Sequence, residues 1–175
     1  FLERPDAMER VSAIPFQRIW SQQDTNWDHY RSVCIAPVRT DFLIKREVFA
    51  TGDSQSKATT AGAKLEMALK RAFEEDKSRR FQLRQRPAVK TLLIELAIVE
   101  VTPRLTAGER SNSTIRGSLA FEGRISDATT GQVLATMADR RLGPPIITAP
   151  GIGYWGHLDR ITTAWAHDLV KALDM

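Results

Sequence analysis

The most constraining feature of this sequence is a series of three strand-like segments between residues 90 and 138. Residues 91–101 are apolar on both faces that a strand presents, which predicts a central strand covered on both sides. Residues 113–125 alternate between apolar and polar side chains, as in an antiparallel strand with one face in water. The turn sequence Asp127-Ala-Thr-Thr-Gly131 then leads into residues 132–138, so the last two segments predict a β-hairpin.

Two other segments have the periodicity of amphipathic helices. In residues 56–77 the apolar side chains recur at spacings of three and four, namely Ala61, Leu65, Ala68, Leu69, Ala72 and Phe73. Many of them are small, so this helix is expected to lie close against the sheet. A second helix is predicted over residues 157–173, with Trp165 as its anchor in the core.

Two short segments add further strands. Residues 32–38 are a continuous apolar run closed by a proline, which predicts a buried strand. Phe81 and Leu83 alternate with polar residues, which predicts an edge strand near residues 80–84. The whole pattern predicts one α+β domain with a mixed or mostly antiparallel sheet of four or five strands and two main helices. The predicted order is β-α-β-β-β-β-α.

The chain divides at about residue 30. A length of 175 residues is typical of one domain, which we assign to residues 31–175. Residues 1–30 show no sustained period and are interpreted as an N-terminal arm or tether. Its apolar residues Phe16, Ile19 and Trp20 either pack onto the body or anchor to a partner or membrane interface. Packing is favoured, because isolated aromatic residues more often fill a groove in their own domain.

The residues that catalysis would need are sparse. The three histidines lack the spacing of metal ligands, and Cys34 lies in an apolar run as a small buried residue. Asp127 and Asp139 are the carboxylates that a hydrolase would use. Asp127 is better explained as a turn former, and Asp139 as an ion-pair partner of Arg140 or Arg141. The sequence therefore predicts neither an enzyme, nor a cofactor, nor a metal site.

Two stretches are candidate contact surfaces. The Gly- and Pro-rich residues 142–156 are predicted to be non-helical, and they either fold back on the core or contact a partner. The candidate partner contacts are Ile146, Ile147, Ile152, Tyr154 and Trp155. Residues 77–90 hold six basic side chains and no acid, which either protect an edge strand or bind anionic groups. The candidate anion contacts are Arg79, Arg80, Arg84 and Arg86.

The order of several short motifs resembles a known family. The motifs are Pro15-Phe16 followed by Trp20 and Trp27, Val33-Cys-Ile-Ala-Pro-Val38, Asp127-Ala-Thr-Thr-Gly-Gln-Val-Leu-Ala135, Asp139-Arg-Arg141, and a terminal helix bearing Trp165. This arrangement is similar to the predicted bacterial lipoproteins classed as domain of unknown function 3313. The resemblance implies an exported protein that is lipidated on a cysteine upstream of Phe1, with its body on the periplasmic face of the outer membrane.

Two functions follow as expectations. The first is a non-catalytic domain that binds other envelope proteins or copies of itself. The alternative is a binder of anionic lipid or cell-wall polymer through residues 77–90. A nucleic-acid partner is not expected, because the net charge of +4 is only mildly basic.

Overall fold

The computed structural model describes residue 2 and residues 8–11, 15–43, 53–102, 118–142 and 154–174. Within these ranges the chain forms seven strands and two α-helices, with a 3-10 turn at Trp27–His29. The strands are β1 (Glu9–Arg10), β2 (Arg18–Ser21), β3 (Ser32–Ile35), β4 (Gln82–Arg84), β5 (Thr91–Thr102), β6 (Ser118–Asp127) and β7 (Val133–Leu142). The helices are α1 (Asp53–Glu75) and α2 (Tyr154–Leu173).

The strands pair into one mixed sheet in the order β1-β2-β7-β6-β5-β3-β4. Strands β5, β6 and β7 form an antiparallel meander, and β2 and β1 extend it antiparallel on the β7 side. On the other side β3 is parallel to both β5 and β4. Residues 22–31 therefore carry the chain across the end of the sheet, from β2 on one side of the meander to β3 on the other.

The main core lies between the sheet and the two helices, which pack on the same face and against each other. Trp165 of α2 is 1% exposed and contacts Phe121 of β6 edge to face, with ring centroids 4.7 Å apart. On α1, a Cβ added at Gly62 would lie 3.3 Å from Thr40 Cγ2, so this helix approaches its neighbours closely. Both observations agree with the sequence, which predicts a Trp165 anchor and a closely packed first helix.

The opposite face of the sheet is only partly apolar. Ala97, Val99 and Ala120 form a small second cluster there, with Phe42 packed against it. The same face carries two cross-strand ion pairs, Arg124–Glu95 at 2.6 Å and Arg140–Glu100 at 2.9 Å. Neither of the two described α-helices covers this face, because α2 packs beside α1 on the other face of the sheet.

The predicted strand number is wrong, since the described parts of the chain already form a sheet of seven strands instead of four or five. From β3 onward the observed order is β-α-β-β-β-β-α, as predicted. The additional strands, β1 and β2, belong to the segment assigned to the arm, and they are too short to show a period of their own. Phe16 and Ile19 are buried, in agreement with packing onto the body. None of the described helices is long and apolar enough to span a membrane.

Candidate functional site

Asp127 holds the turn between β6 and β7 together. Its Oδ1 accepts hydrogen bonds from the backbone N–H groups of Thr129 and Thr130, both at 2.8 Å. Its Oδ2 accepts a hydrogen bond from the Tyr30 hydroxyl at 3.0 Å. The Thr130 N–H is the largest cause of a lowered pKa at Asp127. Burial, followed by the hydrogen bond to Asp127, raises the pKa of Tyr30 to about 12. This geometry is that of a turn former.

Asp139 is the centre of a buried polar network between β7 and α2. Only 5% of this residue is exposed. Its Oδ2 accepts hydrogen bonds from Trp165 Nε1 at 2.7 Å and Arg141 Nε at 2.9 Å, and its Oδ1 accepts one from Gln17 N at 3.2 Å. Arg141 also donates to Asp168 Oδ2 at 2.6 Å. The carboxylate therefore joins the sheet, the last helix and the N-terminal segment.

The ion-pair partner of Asp139 is Arg141, while Arg140 bonds Glu100 on the opposite face of the sheet. This division follows from the alternation of side chains along a strand. Because three donors already bond to the Asp139 carboxylate, few of its lone pairs remain for a bond to a substrate. Among the described residues, no three His, Cys, Asp or Glu side chains lie close enough together to hold a metal ion.

The four candidate anion-binding arginines differ in their surroundings. Arg79, Arg84 and Arg86 are exposed and have no bonded partner within the described ranges. Only 18% of the Arg80 side chain is exposed, because it bonds Leu173 O at 2.8 Å and Asp28 Oδ1 at 3.0 Å. Arg80 therefore caps the carboxyl end of α2, where a cation is favoured by the helix dipole.

A groove separates the carboxyl end of α1 from β4, and we call it the α1–β4 groove. Its volume is about 540 Å³, and its lining consists of Phe73, Glu74, Arg79, Phe81, Gln82, Leu83 and Gln85. Phe73 and Phe81 contact each other edge to face, with centroids 6.5 Å apart, and only 4% and 6% of them are exposed. The polar lining residues Glu74, Arg79, Gln82 and Gln85 are exposed, so the accessible wall of the groove is mostly polar and Leu83 is its accessible apolar side chain. The sequence predicts the edge strand but not the groove, because the groove needs α1 beside it.

Two smaller cavities lie near β2 and the crossover segment, residues 22–31. One, of about 350 Å³, is polar and lies between the crossover segment and the β6–β7 turn, with Gln22, Asn26, His29 and Gln132 in its wall. The other, of about 250 Å³, is apolar and lies where α2 ends against β2. No local sequence signal marks either, because both form only when distant segments meet.

Three of the five candidate partner contacts lie outside the residues that the structure describes. Ile146, Ile147 and Ile152 lie outside the described residues, so their role stays a prediction. Tyr154 and Trp155 belong to the first turn of α2. The prediction of a non-helical segment up to residue 156 is therefore wrong at its end, where the second helix begins earlier than its apolar stripe indicates.

The fold and these surfaces define a class of protein: a mixed-sheet α+β domain in which Asp127 closes a turn, Asp139 lies in a buried polar network, and the sheet ends beside a groove. The particular family follows from a family model, described as "Protein of unknown function (DUF3313)", which matches residues 2–169. The chain belongs to that family. No curated protein matches it.

Several solved structures are similar to this chain. A variant of PelC from Paraburkholderia phytofirmans, described as a dodecamer, has 12% identity and a TM-score of 0.49 over 95% of this chain and 97% of its own. Protein XCC0632 from Xanthomonas campestris has 14% identity and a TM-score of 0.49 over 83% and 89%. Lipoprotein GNA1162 from Neisseria meningitidis has 11% identity and a TM-score of 0.33 over 81% and 99%.

Proposed function

We propose that this chain is the non-catalytic, protein-binding domain of a lipid-anchored protein of the bacterial envelope. The anchor is a lipidated cysteine upstream of Phe1, and the domain faces the periplasm from the outer membrane. The observation that carries the protein-binding role is the exposed edge strand β4 beside the α1–β4 groove. An open edge offers unpaired backbone groups, and the groove beside it offers a concave surface in which the partly buried Leu83 lies among exposed polar side chains.

The engagement of the polar residues supports a role without catalysis. A general base needs a lone pair within reach of its substrate and a partner that tunes its pKa. Asp127 is bonded by two backbone N–H groups and a tyrosine hydroxyl, and Asp139 by three donors in the interior. Both carboxylates are thus explained by the stability of the fold.

Two experiments test this proposal. The intact mass of the full-length protein from native membranes should exceed the polypeptide mass by a tri-acylated cysteine. A photo-crosslinking residue placed at Gln85, in the groove wall, should then form crosslinks to envelope proteins in cells. The same residue at the exposed Arg160, on α2, is the matched control. A mass equal to that of the unmodified polypeptide would contradict the proposed lipid anchor. A protein that is monomeric by light scattering and crosslinks at neither position would remove the protein-binding role.

The second candidate function is binding of anionic lipid headgroups or cell-wall polymers. The observation that favours it is the exposure of Arg79, Arg84 and Arg86 on one edge of the sheet. Binding to phosphatidylglycerol vesicles should weaken steeply with salt and disappear when all three are changed to Gln.

A matched variant for that test changes Arg10, Arg18 and Arg160 to Gln, because these arginines are also exposed and the loss of charge is equal. It should bind the vesicles normally. Vesicle binding that is insensitive to salt, or equal loss in both variants, would contradict a specific site.

A further inference from the structure

Strand β4 ends the sheet on the side away from β2. It pairs only with β3 among the described residues, with Gln82 opposite Ser32 and Arg84 opposite Cys34. The Gln82 N–H donates to Arg31 O at 3.0 Å, so the backbone groups of Gln82 point towards β3. Because these groups alternate along a strand, the N–H and C=O of Leu83 point away from the sheet.

The two sides of this edge differ in chemistry. The Leu83 side chain faces the helices, where it lines the α1–β4 groove together with Phe73 and Phe81. The neighbouring Arg84 projects from the opposite face and is exposed. A segment added beside β4 would therefore place alternate side chains beside Leu83, at the mouth of the groove, and the others beside the basic side chain of Arg84.

The charge around the edge limits what can pair with it. Arg79, Arg84 and Arg86 are exposed there, and Glu74 is the one acid in the groove wall. Two copies of this chain that paired through β4 would bring their arginines against each other, since a symmetric contact repeats the same patch. Like charges directly opposite each other in a sheet are destabilising.

We propose that β4 accepts an extended segment of a partner protein as an eighth strand, and that this segment alternates apolar and acidic residues. This inference rests on the proposed protein-binding function and names the surface and the chemistry of the partner. Leu83 would exchange two backbone hydrogen bonds with one residue of an antiparallel segment. The apolar side chains of the segment would enter the groove, and its acidic side chains would face Arg84 and its neighbours.

The probe for this proposal is the peptide acetyl-Glu-Val-Glu-Val-Glu-amide, titrated into the ¹⁵N-labelled domain and followed by NMR. We expect a Kd below about 1 mM. The amide signal of Leu83 should shift, and its hydrogen exchange should slow as the N–H becomes bonded. The peptide with Lys in place of Glu is the control and should not bind. Failure of the acidic peptide to bind at about 1 mM, or binding that leaves Leu83 exchange unchanged, would overturn the proposal.

A backbone variant separates strand addition from simple hydrophobic contact. Leu83→Pro removes the outward N–H, at the kind of edge position where proline is accepted, and it also replaces the leucine side chain that lines the groove, so Leu83→Val serves as the control for the change of side chain. It should weaken binding of the acidic peptide about tenfold, since one hydrogen bond is lost. Leu83→Val keeps the N–H and should bind normally. Equal affinity of the two variants would overturn the proposal, and if Leu83→Pro does not fold, Leu83 exchange in the unmodified domain decides.

The crosslinking experiment distinguishes this inference from the function on which it rests. Crosslinks through Gln85 that are equally strong in the unmodified protein and in Leu83→Pro would leave protein binding intact and reject strand addition. Absence of crosslinks through Gln85 and Arg160 in both proteins, together with a monomer by light scattering, would reject protein binding itself.

Discussion

Replacing Asp139 by alanine should be among the most destabilising single changes in this domain. The change leaves the Trp165 Nε1–H without an acceptor at a position that is 1% exposed, which costs about 1–3 kcal/mol. Arg141 loses its ion pair with Asp139 but keeps the one with Asp168. Because 24% of the Arg141 side chain is exposed, the lost ion pair contributes less to the free energy of unfolding than the lost Trp165 hydrogen bond does. Because Arg141 is partly exposed and stays paired with Asp168, we expect a total loss of about 2–4 kcal/mol, which is less than the upper end of the range of about 3–5 kcal/mol typical of breaking a fully buried pair.

Urea unfolding followed by circular dichroism measures this loss. The matched control is Asp168→Ala, which removes the outer carboxylate of the same network. Asp168 is 22% exposed on its side chain, so its loss should cost about 1 kcal/mol or less. The reasoning fails if Asp139→Ala costs no more than Asp168→Ala while the slope of the unfolding curve is unchanged. In that case the Asp139 network would contribute little to the stability of the fold.

Three further predictions concern single positions. A Cβ at Gly123 would overlap the Leu96 side chain in the core, so Gly123→Ala should cost about 1–3 kcal/mol by thermal unfolding, and an unchanged melting temperature would contradict this packing. Arg80→Gln should cost about 1 kcal/mol in urea because it uncaps α2, whereas the exposed Arg84→Gln should cost nothing measurable; equal effects would refute the distinction. The pKa of Asp127 is lowered in the fold, so its contribution to stability is complete above about pH 4 and is lost as the pH falls through the folded pKa. Asp127→Asn should therefore flatten the acid side of the stability curve, and an unaltered curve would exclude this role.

The elements that the sequence predicts correctly are those with a long internal pattern. The hairpin of β6 and β7, the central strand β5 and both helices each extend over enough residues for a period to emerge. The turn role of Asp127 is equally local, since its acceptors serve residues two and three positions away.

The features that the sequence does not predict depend on contacts between distant residues. Strand β2 has four residues and exists because β7 pairs with it. Arg80 resembles its basic neighbours in the sequence, and only the position of Leu173, 93 residues away, gives it a structural role. The α1–β4 groove likewise forms from two elements that the pattern predicts separately.

The strand order also limits when this domain can fold as its chain emerges into the compartment where it folds. Strands β2 and β3 are adjacent in the chain, yet they lie on opposite sides of the β5–β6–β7 meander. When the chain emerges amino end first, β3 has no central partner until β5 has emerged, and β2 has none until β7 has emerged. Contacts of such large sequence separation form slowly, because a long loop must close first. We therefore expect the amino-terminal strands to join the sheet last, with the β5–β6–β7 meander as their template.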